Sequence, residues 1–212
     1  MILVPPTQHN YFVQHLPTYQ PQIESERARS VWHRALNSFE AAMPLTYTVR
    51  GTLGSFHIRM DHGSIREDTP SGSVSYSGGW AMVKTHKIAG KAKGPIISLV
   101  PLGVRGGLTL EPSVRAWAYG ESPLSTLPKP GMKLRLMGAM NEQGTRCDIL
   151  QLRNGSVRID IVIRHRDGLP LRIDGHSMDG RGRDVGIRST RVFRYLTLGS
   201  PIPKSAFVLK PG

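Results

Sequence analysis

The chain has 212 residues, 39% hydrophobic and 20% charged, an ordinary globular balance with no apolar run near the ~20 residues of a membrane helix. Gly 23 and Pro 16 exclude coiled-coil and collagen-like readings and favour many short strands and turns over a helical bundle. The formal charge of +13 comes from 28 Lys plus Arg against 15 Asp plus Glu, which suits a polyanionic partner or, because no basic run is long, cations alternating along strand faces.

Residues 1–20 are polar, proline-bearing and sparsely aromatic, and read as an extended N-terminal arm. They lack the charged start, apolar core and cleavage site of a signal peptide. Pro21 suits the first turn of a helix, with Glu24 and Glu26 near its positive end. Ala28, Val31, Trp32, Ala35, Leu36, Phe39 and Met43 then recur at spacings of three and four, one apolar stripe ending at Pro44.

After Pro44 the period becomes two. Leu45, Tyr47 and Val49 alternate with polar residues, and after Gly51 and Gly54 so do Phe56, Ile58 and Met60. Asp61–Gly63 reads as a turn, a further strand surrounds Val74 and Tyr76, and Trp80 and Met82 continue its pattern. Residues 88–107 hold a short apolar run between glycine clusters, either a short helix or a mobile loop. Strands are expected around Leu108–Leu110 and Val114–Tyr119, before a proline-rich connection. Five more follow: Lys133–Met137, Arg146–Leu152, Val157–Arg164, Leu169–Asp174 and Ile187–Leu198. Asn154-Gly155 and Asp167-Gly168 mark tight hairpins between them, because such turns need residues that tolerate positive φ. Ile159, Ile161 and Ile163 oppose Arg158, Asp160 and Arg164, so this meander has one oily and one wet face. One helix and a few loops cover only part of such a sheet, leaving a groove or a partner surface.

No nucleophile elbow, phosphate loop or HExxH motif is present, and no cofactor or metal is expected. His57 and His62 flank Asp61, which reads as a metal pair or, more simply, as a strand face and its turn. Asp174, His176, Asp179 and Asp184 lie in a glycine-rich loop whose spacing departs from the calcium-loop pattern and which Arg181 and Arg183 oppose. Cys147, the only cysteine, excludes an intrachain disulfide; it is either a thiol activated by Arg146 or a buried strand residue. Met60, Met82, Met132, Met137 and Met140 suit an adaptable groove and equally a plain core. Phe193 and Tyr195 beside Arg191 and Arg194 come nearest to a nucleic-acid stacking platform.

The helix ERARSVWHRALNSFEAAMP runs into LTYTVRGTL, and the chain closes with GTRCDILQLRNGSVRIDIVIRHRDGLPLRIDG and SPIPKSAFVLKPG. This order resembles the periplasmic lipoprotein-carrier superfamily: LolA, LolB and relatives such as the N-terminal domain of the sigma-factor regulator RseB. Asp167-Gly168-Leu169-Pro170-Leu171-Arg172 is similar to that family's D-x-GLP hairpin, and Pro203–Lys210 with Phe207 to its terminal F-x-(L)-P-G strand. The likeness spans residues 24–212. It implies an α+β fold, a large curved antiparallel β-sheet (half-barrel) wrapped around the N-terminal amphipathic helix and a short helix or lid, as one domain over residues 21–212. It also implies an extracytoplasmic setting. The chain shows neither a leader nor a lipobox cysteine, so a cytoplasmic setting stays open.

The function expected on this basis is non-enzymatic binding of a lipid, acyl chain or lipidated protein by a monomer. Leu45, Tyr47, Val49, Phe56, Ile58, Met60, Trp80, Ile159, Ile161 and Ile163 would line the apolar groove. Trp32, Leu36 and Phe39 on the helix, with Ile96, Ile97 and Leu99 in the lid, would gate it. Lys84, Lys87, Lys91 and Lys93 border the apolar run 95–100 and are candidates for docking on an anionic membrane. The alternatives are a protein-interaction regulatory module, favoured if the groove is filled by its own side chains, and a basic polyanion or nucleic-acid binder. A nucleic-acid partner is the less expected of these.

Overall fold

In the computed structural model, which describes residues 18–209, the chain opens with β1 (Gln22–Ile23) and α1 (Glu26–Ala41). A meander follows: β2 (Leu45–Gly51), β3 (Gly54–Asp61), β4 (Ser64–Thr69), β5 (Gly72–Ser77), β6 (Trp80–Thr85) and β7 (Ala89–Lys93). A 3₁₀ turn (Ile96–Ser98), α2 (Leu99–Arg105) and α3 (Pro112–Ala118) lead to a second meander. This comprises β8 (Lys133–Glu142), β9 (Thr145–Arg153), β10 (Val157–Arg164), β11 (Pro170–Met178) and β12 (Asp184–Leu198), and a 3₁₀ turn (Lys204–Phe207) closes the described chain. The expected N-terminal arm lies outside the described residues except for 18–20.

The strands form one twelve-stranded sheet in the order β1-β8-β9-β10-β11-β12-β2-β3-β4-β5-β6-β7. Pairing is antiparallel except where β1 adds to β8, and antiparallel pairing of β12 with β2 splices the two meanders. The sheet is curved and unclosed, so the fold is the expected α+β half-barrel. Its inner face is apolar. Leu45, Tyr47, Val49, Ile58, Met60, Ile161 and Ile163 are fully buried there.

Helix α1 crosses β8 and β9, and α2 crosses β5, β6 and β7. α1 begins later than the sequence suggests because the Ser25 side chain accepts the Ala28 N–H and caps it at Glu26. Gln22 and Ile23 are thereby released to pair with Lys133 and Leu134. Residues 88–107 contain the short-helix alternative, together with the edge strand β7.

Three further expectations are corrected. Val114–Ala118 is helical, not extended, and Tyr119 caps its end: Glu111 caps its start by accepting the Ser113 N–H, and Pro112 occupies the first turn. Leu108–Leu110 forms no strand, and its two leucines fill the core beside the helix. The terminal segment expected as a strand is a 3₁₀ turn whose Phe207 is buried.

Gly168 shows why the Asp167-Gly168-Leu169 turn is built as it is. Its φ is +78°, and a Cβ there would stand 2.9 Å from the carbonyl oxygen of Arg34 on α1. Only glycine lets this hairpin pass under the helix.

Candidate functional site

Twofold alternation places side chains on one sheet face or the other, and it gathers nine of the ten expected wall residues inside. Phe56 and Ile159 join those above at 5% and 8% exposure. Trp32 and Phe39 press on them from α1, while Leu36 is partly buried against the same core. Leu99 is fully buried, Ile96 packs on the core, and Ile97 is half-buried. The run therefore sits as part of the core cover.

Trp80 is the exception. It pairs with Ser77 across a two-residue turn, so Ala81 rather than Trp80 lies opposite Tyr76 and takes the inward position. Trp80 stands on the outer face, 38% exposed, with the Lys91 ammonium 4.9 Å from its ring centroid. Lys84, Lys91 and Lys93 share that outer face, and Lys87 is exposed in the β6–β7 turn.

The groove is filled by the protein's own side chains. At its centre Phe39, Tyr47, Phe193 and Tyr195 form an aromatic cluster with centroids 5.6–6.5 Å apart. Phe193 and Tyr195 thus face inward and offer no stacking platform for bases. A cleft of about 300 Å³ opens at the C-terminal end of α1, lined by Ala41, Ala42, Asp167, Leu169 and Leu198 among others. That is the lower end of the range for small-molecule pockets.

One seam inside this apolar interior is polar. Glu67 points inward from β4 opposite Val74, and its Oε2 accepts the Glu111 N–H at 3.0 Å. Glu111, wholly buried at the start of α3, accepts the Ser113 N–H at 2.6 Å, also bonds the Ser113 hydroxyl, and receives Arg191 Nη1 at 3.1 Å. The Ser113 hydroxyl lies 2.7 Å from the Tyr47 hydroxyl. The lid is therefore fastened to β2, β4 and β12 through two carboxyl groups. Glu67 Oε1 has no hydrogen-bond partner among the described residues.

Burial raises the Glu67 carboxyl to about 8, with the neighbouring Glu111 charge adding to the effect against the lowering hydrogen bond from the Glu111 N–H. Burial and then Glu111 also push the Tyr47 hydroxyl well above its ordinary value. Glu67, Glu111, Ser113 and Arg191 escaped recognition as a site in the sequence. Glu111 before Pro112 is a cap signal, but nothing local shows that it meets a second buried acid.

The opposite half is fastened by Asp148, which is buried and accepts Arg34 Nη2 of α1 at 2.8 Å and lies 3.0 Å from His165 Nδ1. Cys147 is fully buried, and burial raises its thiol, which fits the structural alternative. His62 Nδ1 lies 3.1 Å from Asp61 Oδ1 as a local contact of the exposed turn, and no group of three potential metal-ligating side chains occurs among the described residues.

No protein-family model matches the chain, and no curated protein matches it in sequence. Solved structures similar to it include the Mycobacterium tuberculosis lipoprotein LppX, 11% identical, covering 84% of this chain and 99% of that one with a TM-score of 0.48. The Pseudomonas aeruginosa MucA/MucB complex is 15% identical over 87% of this chain and 61% of that one, with a TM-score of 0.46. A LolA-superfamily protein of Nitrosomonas europaea is 9% identical over 86% of this chain and 97% of that one, with a TM-score of 0.33. The last bears the name of the family that the sequence resembles. Likeness at this level says nothing about ligand or partner, and the half-barrel stands on this chain's own strand order.

Proposed function

We propose that the chain is a non-enzymatic binding protein, a monomeric half-barrel domain over residues 21–212. It admits the apolar chain of a lipid or lipidated protein between the inner sheet face and the α2–α3 lid. By resemblance its setting is extracytoplasmic. The polar seam under α3 carries this reading. Apart from the Asp148–Arg34 pair under α1, the interior closes by apolar packing, yet beside Leu99 and Val114 the lid also meets the sheet through Glu67, Glu111, Ser113 and Tyr47, with one buried carboxyl oxygen unpartnered. Such a seam is weaker than an apolar one of equal area, because a buried polar group without its full set of partners costs free energy in the closed state. An acyl chain that displaced the lid would gain about 0.8 kcal/mol per buried methylene.

The test is native mass spectrometry after gentle extraction, with uptake of a fluorescent fatty acid measured alongside. Bound lipid or saturable uptake is expected, with faster uptake by Tyr47→Phe, which removes one seam contact. Absence of both lipid and uptake would refute ligand admission.

The filled interior favours a second reading, a regulatory module that binds a protein on its exterior. On that reading a folded protein takes up no acyl chain, and Tyr47→Phe changes stability alone.

A further inference from the structure

Strand register divides the outer face of the sheet into two electrostatically different halves. On the β8–β12 half each central arginine bridges two carboxylates: Arg158 meets Asp160 and Asp184, and Arg172 meets Glu142 and Asp174. On the other half, Arg194, Thr48, His57, Asp68, Ser73 and Lys84 stand side by side across six strands. The neighbouring row runs Thr46, Arg59, Arg66, Ser75, Met82 and Lys91, and Trp80 and Lys93 head a third. Asp68 is shared by Arg59 and Arg66, and β5, β6 and β7 carry no acidic residue. From residue 69 to 110 the sequence has no Asp or Glu, against Lys84, Lys87, Lys91, Lys93 and Arg105.

We propose that the outer face of β6 and β7, with Lys91 and Lys93 around the exposed Trp80, docks on an anionic lipid bilayer. Charge complementarity favours a polyanionic surface. The aromatic component favours lipid over nucleic acid. Trp80 is half-exposed one strand in from the sheet edge with a lysine over its ring, an amphipathic pairing suited to the headgroup layer. Base stacking needs open aromatic faces, and the other candidate rings, Phe193 and Tyr195, belong to the buried core. Docking by this face leaves the lid on the other side of the sheet, so it is independent of whether the interior admits a ligand.

The experiment uses co-sedimentation of the full chain with phosphatidylcholine vesicles, with and without phosphatidylglycerol, at low and physiological salt. Binding is expected only to the anionic vesicles, weakening with salt. Each lysine lost near such a surface lowers the partition coefficient about fivefold, so Lys91→Gln with Lys93→Gln reduces it about 25-fold. Lys133→Gln with Arg153→Gln removes the same charge from the β8–β9 region and should change it less than twofold. Trp80→Phe should abolish the blue shift of tryptophan emission on binding. Circular dichroism confirms that each variant is folded. The proposal is overturned by wild-type protein that ignores anionic vesicles at low salt, by equal losses in the two double variants, or by binding to an oligonucleotide but not to vesicles.

Discussion

Glu67→Gln isolates the polar seam. In the folded protein the Glu67 carboxyl is raised from 4.5 to about 8, chiefly by burial, whereas in the unfolded chain it returns to the ordinary glutamate range. Between those values the folded state holds a proton that the unfolded state has released. Stability from this group is therefore fully present below the unfolded value and lost as pH rises through about 8. The slope is about 1.4 kcal/mol per pH unit, giving a total loss of about 3–5 kcal/mol across the window. Glutamine keeps a carbonyl oxygen to accept the Glu111 N–H but cannot ionise. Its amide leaves a donor unpaired where Glu67 Oε1 lacks a partner, at a cost of about 1–3 kcal/mol. Glu67→Gln should therefore be no more stable than wild type at pH 5 and more stable at pH 8. Urea unfolding at pH 5, 6, 7 and 8 measures the difference, in which the acids whose values lie low, such as Asp68 and Asp179, cancel. A stability difference that stays constant from pH 5 to 8 would refute the raised carboxyl and the account of the seam built on it.

Three further substitutions probe the same framework through chemical denaturation. Tyr47→Phe removes the hydroxyl 2.7 Å from Ser113 and should destabilise by about 1 kcal/mol, with the aromatic cluster retained in near-ultraviolet circular dichroism. Asp148→Ala strips the buried acceptor from Arg34 and His165 and should cost about 2–4 kcal/mol. Gly168→Ala meets both positive φ and the Arg34 carbonyl and should lower the urea midpoint by the equivalent of about 2 kcal/mol or more.

What the sequence reveals is whatever repeats locally. The stripe Val31, Trp32, Ala35 and Phe39 specifies α1, and alternating isoleucines specify β10, because period alone selects the buried face. The errors occur where period is ambiguous or parity resets. Val114, Ala116 and Ala118 alternate as a strand would, but the Glu111 cap and Pro112 decide for a helix. Residues 64–69 escaped notice as a strand because the inward partner of Ile65 is Glu67, an acid where alternation calls for an apolar residue. Trp80 lies on the face opposite to the one its alternation suggests because a two-residue turn makes Ser77, not Tyr76, its partner.

The misplaced acid and the misread helix are two ends of one feature. Glu67 is buried in β4 because its Oε2 receives the backbone N–H of Glu111, a group with no intrahelical partner at the start of α3. Glu111 in turn is tolerated in the core because Arg191 reaches it from β12, at the splice between the meanders. Replacing all of them with apolar residues would close the half-barrel more firmly, since buried ionic groups rarely outperform hydrophobic packing. Leu99 and Val114 also pack the lid on the core, so the loss of one proton or one hydrogen bond at the seam lowers the cost of opening without removing it. Leucines in place of the seam would offer no such titratable or hydrogen-bonded contact. On the proposed reading, the weak seam is what separates a gate from a permanent cover.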